Sequence, residues 1–417
     1  MAAIAFGAPL TGTALLNELQ LRAFRFFWNE SHPITGLTKD RAANFQTSDT
    51  FTVASCASTG FALAAYPIGV ERKWCTREEA RERTRRTLRT MLNQHEHYKG
   101  WFAHFTDWSK GTREWKCEFS TIDTSIFLAG MIVAKEYWKD PEVNELSDKI
   151  LARLDWDAML TSGGSNPTSL FICHGYRPEE GYLKGHWADY SEEKMLFLQA
   201  YGANPKWTNE GWMKHGKTLV DYKGLKLIRG GPLFIHQMAE SFYDFKNMRD
   251  PLGYDYWIAT RNATLANRQY AIDNPQKFAG YGPNFWGLSA CDGPDGYNAF
   301  GAPGWISDNG TITPTSGIAG INHTPKESLA LAESLVKEHP EAWGRYGFSN
   351  GINPHRKWRG PDVIGIDLGM MMMAIENYRT GMIHRLSRSN PLIQRGYAKV
   401  GFVKSVSNAR APLHTQP

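Results

Sequence analysis

The chain has 417 residues, 42% hydrophobic and 21% charged, enough apolar material for a large core. The formal net charge is only +5, and the one dense basic run, Arg81 to Arg89, alternates with Glu78, Glu79 and Glu82 at helical spacing. That pattern is an ion-paired helix face, so no nucleic-acid partner is expected. No apolar run is long enough to cross a bilayer, and no membrane partner is expected.

Met1 to Leu10 lacks the basic start and long apolar stretch of a signal peptide, although a leader already removed would leave the same trace. Residues 1–12 read as an N-terminal extension. Leu15, Leu16, Leu19, Phe24, Phe26 and Phe27 then have helical spacing up to Pro33. Thr52 to Tyr66 is a small-residue helix expected to stop at Pro67. Thr76-Arg-Glu-Glu79 is a capping box opening a helix to about His95, and Ser120-Thr-Ile-Asp123 opens the next. Asp140-Pro141-Glu142 starts a helix ending near Trp156. Met195 to Tyr201 is apolar almost all round, as in a buried helix. Pro232 to Met248 and Tyr256 to Asp273 are helix-like. Residues 274–323 read as long loops, Thr324-Pro-Lys-Glu327 as a further capping box, and Ile366 to Tyr378 as a buried helix. From about residue 396 the chain reads as a surface tail.

This is an all-α pattern in one domain, with no linker that divides it. Short and long connections alternate, which suggests a toroid of helical hairpins. Its long loops (99–119, 157–187, 204–230, 274–323 and 344–364) would gather at one rim.

The five cysteines (Cys56, Cys75, Cys117, Cys173, Cys291) are widely spaced, and the histidines show no metal-ligand spacing. Neither a metal nor a cofactor is expected. The informative excess is aromatic, with 15 Trp, 17 Tyr and 21 Phe, because flat amphipathic rings suit sugar faces. Carboxylates sit among them. Glu118 and Asp123 flank a helix start, after a loop carrying Trp101, Trp108 and Trp115. Glu192 and Glu193 open the buried helix beside Trp187 and Tyr190. Asp292 and Tyr297 lie in a turn-rich segment after Trp286. Asp189 and Asp123 each have a simpler reading as helix caps, Asp292 as a turn former, and Asp367 as an acid that orients a loop. Two carboxyl groups across an aromatic cleft are nonetheless the minimal apparatus for cutting a glycosidic bond.

Glu118-Phe-Ser-Thr-Ile-Asp-Thr-Ser-Ile-Phe-Leu-Ala-Gly130, Tyr190-Ser-Glu192, and Phe285-Trp-Gly-Leu-Ser-Ala-Cys-Asp-Gly-Pro-Asp-Gly-Tyr297 occur in that order. Asp308-Asn-Gly-Thr-Ile-Thr-Pro-Thr315, Trp343-Gly-Arg-Tyr-Gly-Phe348 and Ile364-Gly-Ile-Asp-Leu-Gly369 follow. Together they resemble the glucoamylase-like family that includes the β-1,2-glucanases of glycoside hydrolase family 144. The transglycosylation domain of cyclic β-1,2-glucan synthases belongs there too. The resemblance implies an (α/α)6 barrel that hydrolyses β-1,2-glucan with inversion, without metal, outside the cytoplasm (periplasmic or secreted).

Glu192, Glu118 and Asp123 match the family's acids. Glu192 is expected to be the general acid, with Glu118 or Asp123 activating water. Trp101, Trp108, Trp187, Tyr190, Trp286, Asp292 and Tyr297 are expected to contact sugars, and Arg229, His236 and Lys184 to bind hydroxyls. Glu193-Lys194 departs from the small and apolar residues usual after this glutamate. β-1,2-Glucan or its oligosaccharides is the expected partner, bound by a monomer. Alternatives are a transglycosylase or an exo-acting, sophorose-releasing hydrolase on the same glucan, a polysaccharide lyase, or a noncatalytic glucan-binding protein.

Overall fold

The three-and-four spacing of apolar residues becomes fourteen α-helices among the described residues of the computed structural model, which are 10–161, 169–304 and 306–405. They are α1 (Gly12–Asn29), α2 (Cys56–Glu71), α3 (Arg77–Asn93), α4 (Thr121–Trp138), α5 (Pro141–Arg153), α6 (Lys194–Ala203) and α7 (Glu210–Lys214). The others are α8 (Phe234–Phe242), α9 (Tyr256–Asp273), α10 (Pro314–Ala319), α11 (Pro325–Glu338), α12 (Gly365–Thr380), α13 (Met382–Ser389) and α14 (Pro391–Val400). Strands are short. Among the described residues they form eight two-stranded sheets and one three-stranded sheet, all antiparallel, which tie loops together. Among the described residues no helix is long and apolar enough to cross a membrane.

Helix α2 lies at the centre, packed against α1, α3, α4 and α12. Its contact with α4 is backbone to backbone. A Cβ on Gly130 would lie 1.8 Å from the Gly60 carbonyl oxygen, and one on Gly60 would lie 2.4 Å from the Phe127 Cα. The Cys56 thiol is 3.6 Å from the Asp123 carbonyl oxygen, so α2 and α4 start side by side and run in parallel. A Cβ on Gly365 would come within 2.2 Å of the Ser58 hydroxyl, which places the start of α12 at the same end. Gln199 of α6 donates to the Ser125 carbonyl of α4 at 2.9 Å. The N-termini of the most buried helices therefore open onto one rim. The loops meet there: Arg41–Ala43 pairs with Asp362–Ile364, Val53–Ser55 with Phe105–Asp107, and Phe119–Ser120 with Gly175–Arg177.

Several expectations need correction. Pro67 does not end α2, which runs on to Glu71. A proline inside a helix costs about 3 kcal/mol, and complete burial of Tyr66 and Ile68 offsets it. Residues 274–323, by contrast, are loops with little helix as expected, α10 being six buried residues. Thr324 makes no side-chain cap on α11; its hydroxyl turns back to the Gly320 carbonyl at 3.1 Å. The expected surface tail begins inside α14, where Gly396, Tyr397 and Val400 are buried because α14 packs on α6. The basic face of α3 is ion-paired as anticipated, with Arg85 on Asp140 and Arg89 on Glu142 at 2.6 Å.

Gly130→Ala should destabilise the protein by at least about 3 kcal/mol, because the added methyl meets a carbonyl oxygen that cannot rotate away. Gly231→Ala, whose Cβ meets nothing nearer than 3.9 Å, is the control. Equal denaturant midpoints for the two variants would contradict the close crossing.

Candidate active site

Helix starts deliver the acids. Ser120 caps α4: its hydroxyl accepts from the Asp123 N–H at 3.2 Å and donates to Asp123 Oδ2 at 2.6 Å, which fixes Asp123 in the first turn. Asp123 Oδ1 faces His104 Nε2 at 3.4 Å. The other ring nitrogen of His104 lies 2.9 Å from Glu118 Oε1, and Glu118 Oε2 lies 3.4 Å from Arg177. One imidazole thus bridges two carboxyl groups. Burial alone would lower its pKa, but the charge of Asp123, the hydrogen bond and charge of Glu118, and the charge of Asp40 push it up to about 9. Burial would raise Glu118; its bond to His104 and that residue's charge win, bringing it down to about 2.

The expected capping role of Asp189 and Glu192 does not occur. Helix α6 starts at Lys194, and its N-terminus has no side-chain cap. Instead the Ser191 hydroxyl donates to Glu192, and the Ser191 N–H donates to Glu193 Oε2 at 2.5 Å. Burial raises the Glu192 pKa; the Ser191 bond opposes this and the negative charge of Asp123 adds to it. Glu192 is therefore within electrostatic reach of Asp123. Glu193 is pushed up to about 8 by burial, against the pull of Lys194. It lies 3.1 Å from His215, whose own pKa burial lowers to about 3.

A second group of acids continues the basin. Asp40 is raised by burial and held partly in check by Arg41 and His104. Arg41 reaches Asp292 at 3.1 Å and Asp362 at 3.8 Å. Asp367, in the first turn of α12, accepts from Asn350 at 2.6 Å. Burial raises it to about 7, with Asp292 and Asp40 adding to the effect. Tyr297, exposed on the hairpin Ala290–Gly293/Gly296–Ala299, is within electrostatic reach of Asp367, Asp40 and Asp292.

The structure thus brings together Glu118, Asp123, Glu192, Asp292 and Tyr297. Trp187 lies alongside, half-buried, with its N–H on the Thr121 hydroxyl at 3.0 Å. Arg229 is exposed and, with Asp189 and Tyr190, lines a cavity of about 390 Å³. Four expected sugar contacts and one expected hydroxyl binder, His236, are corrected. Trp101 and Trp286 are 0% exposed and belong to the core. Tyr190 and His236 are buried behind α6, where the Tyr190 hydroxyl meets His236 Nδ1 at 2.9 Å and Lys194 donates to it at 3.0 Å. Trp108 is half-buried under Lys39, which is ion-paired to Glu30 and Asp49.

Sequence reasoning missed His104, Asp40 and Arg41, and gave Asp367 only a loop-orienting role. Asp367 had a usable signal, since it repeats the Asp123 placement at the head of an apolar helix. His104 had none: strand pairing of Phe105–Asp107 with Val53–Ser55 carries it into the site. Ligand atoms of His104, Glu118 and Asp123 lie within 4.8 Å of one another and could hold a metal. That would require His104 to lose the proton it keeps up to about pH 9.

Residues 184–391 match the glycoamylase (glucoamylase) family model. The chain is 24% identical over 439 aligned residues to an exo β-1,2-glucooligosaccharide sophorohydrolase (non-reducing end) of Parabacteroides distasonis, covering 95% of this chain and 59% of that protein. The chain therefore spans about three fifths of the length of this curated relative. A Chitinophaga pinensis endo-β-1,2-glucanase, solved with sophorotriose and glucose, superposes with TM-score 0.86 at 23% identity, covering 95% of this chain and 99% of that one. A Parabacteroides distasonis β-1,2-glucanase gives 0.85 at 22%, covering 95% and 61%. These two structures share the fold.

His104 provides a direct check. Its folded pKa is raised from 6.5 to about 9, so its pairing stabilises fully below pH 6.5 and is lost as pH rises through about 9. Glu118 is lowered from 4.5 to about 2, and its contribution is lost as pH falls through about 2. An imidazole NMR titration should give a midpoint near 9 that Glu118→Gln lowers. A midpoint at or below 6.5 would refute the bridge.

Proposed function

We propose that the chain, whose residues 184–391 match the glycoamylase family model, is a glycoside hydrolase acting on β-1,2-glucan or its oligosaccharides, with Glu192 as the proton donor. One observation supports this most: a carboxyl whose pKa burial raises lies within electrostatic reach of a carboxyl paired with a cation. That difference is what glycosidic cleavage needs. A protonated acid delivers a proton to the leaving oxygen, while a second carboxyl accepts one from the attacking water. Glu118 is paired with both His104 and Arg177 and has the lowered pKa of a firmly ionised acid, and in this reading it orients and charges His104. Asp123 then faces the water, either directly or through a substrate hydroxyl. Braced by Ser120 and His104, it is better placed to polarise water than to attack carbon, and inversion at the anomeric centre is the expected outcome.

A second reading gives water activation to Asp367. Its pKa of about 7 is matched to a base working near neutrality.

The helices are arranged as an (α/α)6 barrel in this proposal. The inner ring is α2, α4, α6, α8, α10 and α12, with α1, α3, α5, α9 and α11 outside. Support comes from the packing of α2 on α4 and α12, α4 on α6, α8 on α12, and α10 on α12. Export to the periplasm or medium, and action as a monomer, complete the proposal.

Glu192→Gln should lower kcat on β-1,2-glucan about 10²–10⁴-fold while sophoro-oligosaccharides still bind. Retained turnover would remove Glu192 from the role. Asp123→Asn and Asp367→Asn compared on the same substrate decide between the two bases, and NMR of the first product reads the anomer. Because Glu192 must be protonated to act, kcat/KM should fall as pH rises through its pKa. A profile flat on its alkaline side would contradict the assignment.

A further inference from the structure

Trp115 is 66% exposed, and single exposed apolar side chains ordinarily need no explanation. Three observations separate this one. The first is its connection to the acids. The Trp115 ring is 5.1 Å from that of Phe105. Phe105 lies flat on His104, with centroids 3.8 Å apart and planes at 16°. His104 in turn touches Glu118 and Asp123. A run of rings therefore leads from solvent to the site.

The second is backbone strain. Trp115 and Lys116 are consecutive non-glycine residues in the left-handed region, at φ 55° and 49°. For a bulky side chain this is a true outlier, of the kind that persists only where the surroundings enforce it. The third is that the surroundings do enforce it. The Glu114 N–H donates to the Phe105 carbonyl at 3.0 Å, and the Cys117 N–H to the Glu114 carbonyl at 3.0 Å. Arg113 forms a two-pronged pair with Glu179 at 2.9 and 2.8 Å. A slack loop would relax and fold the indole down; this one is clamped with the ring held out.

We propose that Trp115 is an outer stacking platform of the cleft, binding a glucosyl residue of a chain whose scissile bond lies at the acids. The inference rests on the glucan-hydrolase reading above and adds where the chain extends beyond the reacting sugars. Phe105 supports the indole on one side, and its solvent side takes the sugar face. A contact this far from the reacting atoms contributes binding that is the same in ground and transition states. It therefore acts on KM and not on kcat, and only for substrates long enough to reach it.

The test is steady-state kinetics on β-1,2-gluco-oligosaccharides of increasing length, with wild type, Trp115→Gly and Trp115→Phe, alongside thermal unfolding. Glycine suits the left-handed backbone, so Trp115→Gly should unfold at the wild-type temperature or above it. Its KM for long substrates should rise about tenfold, with a smaller rise for the shortest substrate cleaved and kcat held. Trp115→Phe should recover part of the loss.

A lowered unfolding temperature for Trp115→Gly, with an equal loss at every length, would show a structural role and overturn the proposal. Wild-type kinetics at every length would also overturn it, leaving the hydrolase reading intact. A wild-type enzyme inactive on all β-1,2-glucans would overturn both.

Discussion

The site depends on the backbone contact between α2 and α4. Gly60 and Gly130 let the two helices touch main chain to main chain, and Ser58 against Gly365 does the same for α2 and α12. Side chains at these points would push the helices apart. Because the helices run in parallel, close approach gathers their N-termini, and with them the acids of their first turns. Asp123 heads α4, Asp367 heads α12 and Glu192 precedes α6. Helix N-termini also favour negative charge, so one packing constraint both assembles the acids and makes their proximity tolerable.

Proximity alone would raise every carboxyl together. The basin is differentiated because its cations are unevenly placed. His104 lies between Glu118 and Asp123, and Arg41 between Asp40, Asp292 and Asp362. For Glu192 burial is the largest influence and raises its pKa, opposed by the Ser191 hydroxyl and the more distant charge of Lys194. A single fold thus raises the pKa of one acid, Glu192, and lowers that of another, Glu118.

Beneath Glu192 the polar pair Glu193-Lys194 is buried in a connected layer. Lys194 meets Tyr190, Tyr190 meets His236, and Glu193 meets Ser191 and His215. Lys194, Tyr190 and Glu193 each have a hydrogen-bond partner there, the condition for placing such groups in a core. The layer also fixes the turn that carries Glu192, because Ser191 is tied by its N–H to Glu193 and by its hydroxyl to Glu192 itself.

Local pattern determined most of the helices. The Ser120 and Asp140 caps, the Thr76 capping box and the all-round apolar faces of α4, α6 and α12 act within a few residues of chain, where sequence carries the full physical cause. The same reasoning identified Glu118, Asp123 and Glu192, because acids beside buried helices are conspicuous. It could not assign the tryptophans. Trp101 and Trp286 went to the core and Trp115 to solvent, since burial depends on what packs against a ring from elsewhere in the chain. Nor could it find His104 or Arg41, whose roles arise from strand pairings between distant loops. Residue types and helix starts follow from neighbours in the chain. Which acid keeps its proton follows from charges and burial that exist only once segments far apart in sequence have met.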